Sequence, residues 1–570
     1  MSWLSYCYKT YQNSVSEIGK QQPGKVPLLP VAHTTQQVNI EVELDKDGNF
    51  QYAGLLAQDQ RTTIIPCTEE SSARTSGMVP HPLVDKLQYI AADYPTFGGS
   101  KESGWPLYHK QLQAWCTSPY AHPAVCTVLH YLEKECLIAD LLKANILFID
   151  ENGTLPTKWQ GNKEDKPPIL DTLTGSDQTE SFVRFRVDNV DLSRDTTVRE
   201  SFIRFYETQL KDIDYCTVQG IKMPISTLSP YKIRNPGDRA KLISSNDNTN
   251  YTYRGRFADA AQALSIGYET TQKAHSALRW LVSKQGVNTG DQTVLVWGTQ
   301  NEAVPNVLGD TLDIAQEYNP LAGDDWDDFE EDTERLPADT QEEIARQFNR
   351  AILGYQHQLK DNSQTAVMIL DSATPGRLSI RYYQELQGSK LLANIKDWHD
   401  TFQWQLEYRS VEEPTELGKK PKIKKVVFVG APAPADIAKA AYGEKVDAKL
   451  KQATIERLIP CITNGERFPR DLMISAVDRA TNSIGLDYWE QQKTQNIACA
   501  LVRGYYHRNK KVDYPMNVDE TIKDRNYLFG RILACAEQIE RRALIQQGNE
   551  NENRLTNAER LRTAFALHPA

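Results

Sequence analysis

The sequence predicts an α+β chain: a mixed N-terminal region with antiparallel-rich sheets, followed by an all-α helical bundle at the C-terminus. Three observations carry that prediction. Residues 38–52 alternate apolar and polar side chains about an Asp45-Lys46-Asp47-Gly48 turn, which is the pattern of a β-hairpin. Further strand-like runs alternate with helical ones, but without the regular spacing of βαβ units. From about residue 433 onward, only helical periodicity is left.

In the hairpin, Val38, Ile40, Val42 and Leu44 form the apolar row of one strand, and Phe50 and Tyr52 resume the alternation after the turn. The stretch RTSGMVPHPLVDKLQYI (74–90) comes next. Its first part, Arg74-Thr75-Ser76-Gly77, is a small polar loop with one long cation. Pro80 and Pro82 then bracket His81 and fix the entry to a helix, whose Leu83, Val84, Leu87, Tyr89 and Ile90 form a buried face. AVCTVLHYLEKECLIADLL (124–142) is helical in period. Its Cys126, His130 and Cys136 fit no common zinc spacing and read as core residues. Strands are expected at SFVRFRV (181–187), TVLVWG (293–298), AVMILDS (366–372), RLSIRYY (377–383) and KKVVFVG (424–430), and helices at 258–282 and 342–359. At 570 residues the chain exceeds one ordinary core. The expected division is 1–205, an α/β region with the hairpin and the polar loop; 206–445, a middle mixed region; and 446–570, the helical bundle.

Composition narrows the function. No apolar run is long enough to span a bilayer, and the N-terminal MSWLSYCYKTYQNSVSEIGK has no signal-peptide core. A cytoplasmic protein is expected. The nine cysteines contain no Cys-x-x-Cys pair, which argues against a disulfide framework. The net charge of −10 resides in one block, DDWDDFEEDTERLPADTQEE (324–343), where eleven carboxylates face a single cation, Arg335. Such a run reads as a solvated loop, and the remainder of the chain is electrically balanced, so local basic patches acquire meaning.

Phosphate-loop, dinucleotide, H-E-x-x-H and G-x-S-x-G signatures are absent. His399-Asp400 is the one His-Asp doublet, and a metal-dependent nuclease would need further ligands around it. A binding protein is therefore favoured over an enzyme, with neither cofactor nor metal expected. Three basic patches suit a phosphate backbone. The first is TNYTYRGRF (249–257), where Arg254 and Arg256 flank Gly255 behind the flexible Lys241–Asn248 loop; the second is KKPKIKK (419–425) with Lys419, Lys420, Lys422, Lys424 and Lys425; the third is RGYYHRNKK (503–511) with Arg503, Arg508, Lys510 and Lys511. Each also has a structural reading: a salt-bridge hub, a solubilised strand edge, or the charged end of a helix.

The stretches at 74–90 and 181–187, CTVQGIKMPI (216–225), AKLISSNDNTNYTYRGRF (240–257), QKAHSALRWLV (272–282), TVLVWG, TPGRLSIRYYQEL (374–386) and RNYLFGRILACAEQIERRA (525–543) together resemble the large subunit of the type I-C CRISPR–Cas surveillance complex, Cascade. Within LSPYKIRNPG (228–237), Ser229 stands where that family carries His, and relatives continue past the terminal FALHPA. The resemblance implies a subunit without nuclease activity that recognises the protospacer-adjacent motif (PAM) in double-stranded DNA, helps to unwind the target and guides the displaced strand. It also implies its partners: the CRISPR RNA with its handle-binding and backbone subunits, a small subunit corresponding to the C-terminal region, and a helicase–nuclease. An internal start at Met473 or somewhat earlier would give that small subunit.

On this reading, Arg74, Thr75, Ser76, Ser244, Ser245, Asn246 and Asn248 are PAM-reading candidates, because groove readout uses short polar side chains. Lys241, Arg254, Arg256, the 419–425 lysines and the 503–511 cluster are backbone candidates. Two other readings remain: a nuclease built on His399 and Asp400, and an adapter that touches only protein.

Overall fold

The computed structural model describes residues 2–22, 24–74, 77–98, 101–156, 159, 166–173, 175, 177–235, 237–243, 257, 260–317, 341–359, 363–374, 377–412, 422–482, 486–547, 556–558 and 560–561. The chain divides into two compact units, residues 1–286 with 372–379 and residues 287–371 with 380–570.

In the first unit the expected hairpin forms from Ile40–Leu44 and Phe50–Leu55. The Asp45 carboxylate accepts from the backbone N–H of Asp47 at 2.9 Å and of Asn49 at 2.8 Å, and Gly48 supplies the left-handed φ of +72° that closes the turn. Ile40, Val42 and Leu44 face inward, as the alternation requires. Ile40–Leu44 also pairs in parallel with Phe182–Val187. That partner lies well over a hundred residues away, so no local pattern announces it. Phe182–Val187 is central, with Asp85–Lys86 and Val190–Asp191 antiparallel to it. Its Arg184 is buried and paired with Glu41 at 2.6 Å. A separate ribbon joins His33–Gln37 to Thr62–Pro66.

Three helices, Trp105–Cys116, Pro123–Leu132 and Leu137–Lys143, cover this sheet and contribute Trp115, Val128 and Leu141 to the core. Cys126 and Cys136, expected in the core, are only half-buried, and His130 is exposed, at the last turn of its helix. The helix expected over 258–282 is interrupted: Ala260–Ala263 is one short turn, and the long helix is Tyr268–Gln285. The break has a tertiary cause. Ser265 O accepts from Thr217 N and Oγ1, Ser226 N donates to Ile266 O, and Met223 sits where any side chain at Gly267 would lie.

Among the described residues four imidazoles are buried: His33, His81 and His275 in the first unit, and His399 in the second. Burial pushes His33 and His275 down to about 4, and His81 and His399 down to about 3. Because the folded values lie below the ordinary imidazole value, these groups contribute stability that is present above about pH 6.5 and lost as pH falls toward 4. Each His should then cost up to about 1.4 kcal/mol per pH unit. Burial pushes Asp310 up to about 6, so its contribution has the opposite sign and is lost as pH rises through that value. It opposes His399 in the second unit only. Urea unfolding at pH 7.5, 5.5 and 4.5 should show stability falling with acid, first in the unit holding three of the histidines.

The second unit is built on an antiparallel sheet ordered Val287–Thr289, Gln292–Gly298, Gln364–Thr374, Arg377–Gln387. Gln292–Gly298 is buried along its whole length, which explains why TVLVWG reads as continuous rather than alternating. Trp404–Glu412 and Lys422–Gly430 form a two-stranded antiparallel ribbon. Gln341–Gln358 is helical, as its periodicity requires.

Beyond residue 433 the chain is helical: Pro434–Tyr442, Ala448–Thr463, Arg470–Thr481, Tyr488–Tyr505 and Arg525–Gln546. These helices do not form the self-contained bundle expected from the sequence. Ile437, Leu458, Leu472 and Leu501 share one core with Val294 and Ile369 of the sheet, and no side chain of Arg525–Gln546 is fully buried. Gly504 lies against the ring of buried Phe402, about where an added Cβ would fall. Gly504→Ala should therefore overpack this contact and lower stability by about 1–3 kcal/mol, read as a shift in the urea midpoint.

Candidate nucleic-acid interface

The 74–90 segment is anchored at both ends. Upstream, Glu69–Ser72 is a short helix with a capping box: Thr68 Oγ1 accepts from Ser71 N at 3.0 Å, and Ser71 Oγ accepts from Thr68 N at 2.9 Å. Downstream, Asp85 is wholly buried. Its carboxylate accepts two hydrogen bonds from the Arg74 guanidinium, each 2.8 Å, one from His81 N at 2.6 Å and one from Lys86 N at 2.8 Å. Arg74 also donates to Val79 O at 2.7 Å and lies 4.8 Å above the Tyr89 ring. Burial opposes its charge, but the hydrogen bonds and charge of Asp85 outweigh this and raise its pKa further.

The structure thus gives Arg74 a role different from the expected DNA contact. Its side chain is only 14% exposed, and its fork closes the loop from inside. Thr75 and Ser76 lie outside the described residues. At Gly77, φ is +85° with open space around it.

The same anchor holds a second segment. The Glu69 carboxylate accepts from Ser226 Oγ, from Thr227 N at 3.0 Å and Oγ1 at 2.8 Å, and from Leu228 N at 3.0 Å. CTVQGIKMPI and LSPYKIRNPG are thereby tied to the start of the polar loop. CTVQGIKMPI supplies the turn and second strand of an exposed two-stranded hairpin, Ile213–Tyr215 with Lys222–Pro224. The Lys222 ammonium stands 5.2 Å over the Tyr215 ring, and Ile213 and Ile221 are exposed beside it. An exposed aromatic under a cation is the kind of platform on which bases stack. The sequence reading overlooked it, although Gly220, at φ +72°, marks the turn.

The other candidates are distributed as follows. Lys241 is half-buried, forms a bridge with Arg377, and accepts at its carbonyl from Leu378 N at 3.3 Å. Ser244, Ser245, Asn246, Asn248, Arg254, Arg256, Lys419 and Lys420 lie outside the described residues, as does most of the acidic run 324–343. Lys422, Lys424 and Lys425 are on the second strand of the ribbon, opposite Glu412, Ser410 and Arg409.

The 503–511 cluster separates into two kinds of cation. Arg503 donates to the carbonyls of Asp400, Thr401 and Gln403 at 2.9–3.3 Å and to Tyr514 O at 3.2 Å. Arg508 is buried, donating to Cys461 O and Asp397 Oδ2, each at 2.6 Å, with its guanidinium 5.5 Å from the Trp398 and Phe402 rings. Both support the fold rather than presenting charge to a backbone. Lys510 and Lys511 are exposed where Tyr506–Lys510 ends in a left-handed residue, Lys511 at φ +59°.

His399 is buried with its Nδ1 2.8 Å from Thr311 Oγ1, a hydroxyl that also accepts from Ala431 N, and its ring is 4.8 Å from Phe348. Asp400 instead pairs with Lys396 at 2.6 Å and is largely exposed. Among the described residues no cluster of three or more His, Cys, Asp or Glu could hold a metal ion, and no helix is long and apolar enough to cross a membrane.

A family of CRISPR-associated proteins, Cas_Csd1, matches residues 7–570 of this chain. The protein belongs to that family and is a subunit of a Cascade complex, in agreement with its resemblance to the type I-C large subunit. No curated protein matches it.

Proposed function

We propose that the chain is the non-catalytic, PAM-reading large subunit of an RNA-guided, cytoplasmic DNA surveillance complex. The observation that carries this reading is the family match over 7–570. Guide pairing reads the long target sequence, so the protein needs to read only a few base pairs and to hold the strands apart. The Arg74–Asp85 closure and the Glu69 clasp suit the reading function, because a groove-reading loop must be held by a rigid frame to discriminate between bases. Thr75 and Ser76, next to Arg74 in the sequence, have the right chemistry for a groove. Lys510, Lys511 and the Tyr215–Lys222 platform suit the less specific work of following a strand.

The partners in this reading are the duplex target and its displaced strand, the CRISPR RNA with its handle-binding and backbone subunits, a small subunit matching the C-terminal helices, and the helicase–nuclease. The exposed apolar side chains of Arg525–Gln546, among them Phe529, Ile532 and Ile539, are suited to a helical partner.

The test uses the complex assembled with its guide. Binding to a target duplex should require the PAM. Lys510→Gln with Lys511→Gln should flatten the dependence of log K on log salt by about 1–2 while leaving sequence preference unchanged. With magnesium or manganese the complex alone should leave DNA intact; cleavage abolished by Asp400→Ala would overturn the reading in favour of a nuclease.

A further inference from the structure

The helix Tyr268–Gln285 buries a guanidinium that no described residue neutralises. Arg279 is 7% exposed and makes no hydrogen bond or ion pair among the described residues; its Nε is sealed from solvent without a partner. An uncompensated buried charge is strongly destabilising, so a position like this calls for a counter-charge. The segment 231–239 adds further cations. Lys232 is half-buried and held in left-handed backbone, φ +62°, by its N–H donating to Asp238 O at 2.8 Å. Asp238 is itself occupied by Arg234 at 3.0 Å. Lys232 has no carboxylate partner among the described residues, and Arg239 stands exposed beside it.

Arg279, Arg239 and Arg74 all bear on Lys232, and with burial as the larger cause they press its pKa down to about 8; burial likewise presses Arg279 down to about 10. The acidic groups that face these cations do not neutralise them. Burial keeps the Cys67 thiol protonated, with its pKa pushed up to about 12, and burial also raises the Tyr231 hydroxyl. The Asp85 carboxylate is fully used by Arg74. The cluster is therefore an excess of positive charge, with Arg239 its exposed member.

We propose that Arg279 and Lys232 form a seat for one phosphate group of a nucleic-acid backbone, with Arg239 at its rim. A buried guanidinium whose Nε has no partner, with an ammonium near enough to feel its charge, suits a phosphodiester, whose two free oxygens each accept charge-assisted hydrogen bonds. The seat lies on the segment that follows the Glu69 clasp, so a strand held there would be fixed relative to the polar loop. This inference rests on the nucleic-acid-binding function proposed above and assigns it an anchoring point. The strand can be DNA or guide RNA; the phosphate chemistry is the same.

The first measurement needs no nucleic acid. Thermal unfolding of the full chain is followed against inorganic phosphate at constant ionic strength, with chloride as control. Wild type should show a saturable rise in Tm with phosphate alone. Lys232→Gln, and Arg279→Lys, which keeps the charge but loses the fork, should each weaken that response by about tenfold, the loss expected for one charge-assisted hydrogen bond. Lys232 is half-buried, its ammonium 5.4 Å over the Tyr231 ring and without a carboxylate partner among the described residues, so Lys232→Gln provides the test even if Arg279→Lys unfolds the protein.

The second measurement uses the assembled complex in two arms, guide RNA loading and target DNA binding. Lys232→Gln should lower the salt slope by about one in a single arm, and that arm identifies the strand. Phosphate acting no differently from chloride, or binding unchanged in Lys232→Gln, overturns the seat. Phosphate binding with both slopes unchanged overturns its assignment to nucleic acid and leaves a site for a small or protein-borne anion. Loss of PAM dependence with phosphate protection intact would reject the proposed function while leaving the seat in place.

Discussion

Asp85→Ala is expected to lower the stability of the first unit by about 3–5 kcal/mol, with its largest local effect over residues 69–90. The carboxylate is fully buried and accepts four hydrogen bonds, two of them from Arg74. Its removal leaves a guanidinium in a site only 14% exposed, together with two orphaned backbone N–H groups, and each unmet buried donor adds its own desolvation cost. Arg74→Ala should cost a similar amount, because a buried carboxylate then loses its cation. The double variant should cost clearly less than the sum of the two, since one interaction is broken in both. Hydrogen exchange over 69–90 and urea unfolding measure the two effects. DNA binding by the assembled complex should be weakened equally by either substitution, since both loosen the same frame. If Arg74 were instead a direct DNA contact, Arg74→Ala would weaken binding and Asp85→Ala would not.

Arg508→Ala should cost about 1–3 kcal/mol, in the second unit, with the slope of DNA affinity against salt unchanged. Its guanidinium ties the end of the Tyr488–Tyr505 helix to Cys461 O and Asp397, and it packs on Trp398 and Phe402. Truncation leaves a buried carbonyl without its donor and opens a gap beside two large rings. Lys511→Gln, only a few residues away, should do the reverse: negligible loss of stability and a shallower salt slope. Measuring urea midpoint and salt slope on the same two variants separates a structural cation from a binding one, a distinction that RGYYHRNKK as a string does not reveal.

What was legible in the sequence was whatever depends on near neighbours. The hairpin around Asp45 and Gly48 forms where alternation and turn chemistry put it, and Gln292–Gly298 and Gln341–Gln358 follow their local periods. Long-range pairings were not legible. The parallel match of Ile40–Leu44 with Phe182–Val187 and the break of the 258–282 helix at Gly267 both depend on segments far along the chain. So does the merging of the C-terminal helices with the sheet: their apolar faces show that they pack, not against what.

The candidate site divides in the same way. Arg74, Arg503 and Arg508 were visible as cations, but whether a cation faces inward depends on partners such as Asp85, Asp397 and the 400–403 carbonyls, which sequence spacing does not reveal. Arg279 drew no attention because it sits within a helix of otherwise core-like residues, and a buried charge without a partner becomes apparent only once its surroundings are known.

The most direct test of the central claim is target capture by the assembled, guide-loaded complex from a library of duplexes with randomised PAM positions. Wild type is compared with a variant in which Thr75 and Ser76 are both replaced by alanine. The account predicts a short enriched motif for wild type, and a motif that is altered or relaxed for the variant, at an unchanged salt slope. An identical motif in both proteins, or no enrichment by wild type, would contradict it.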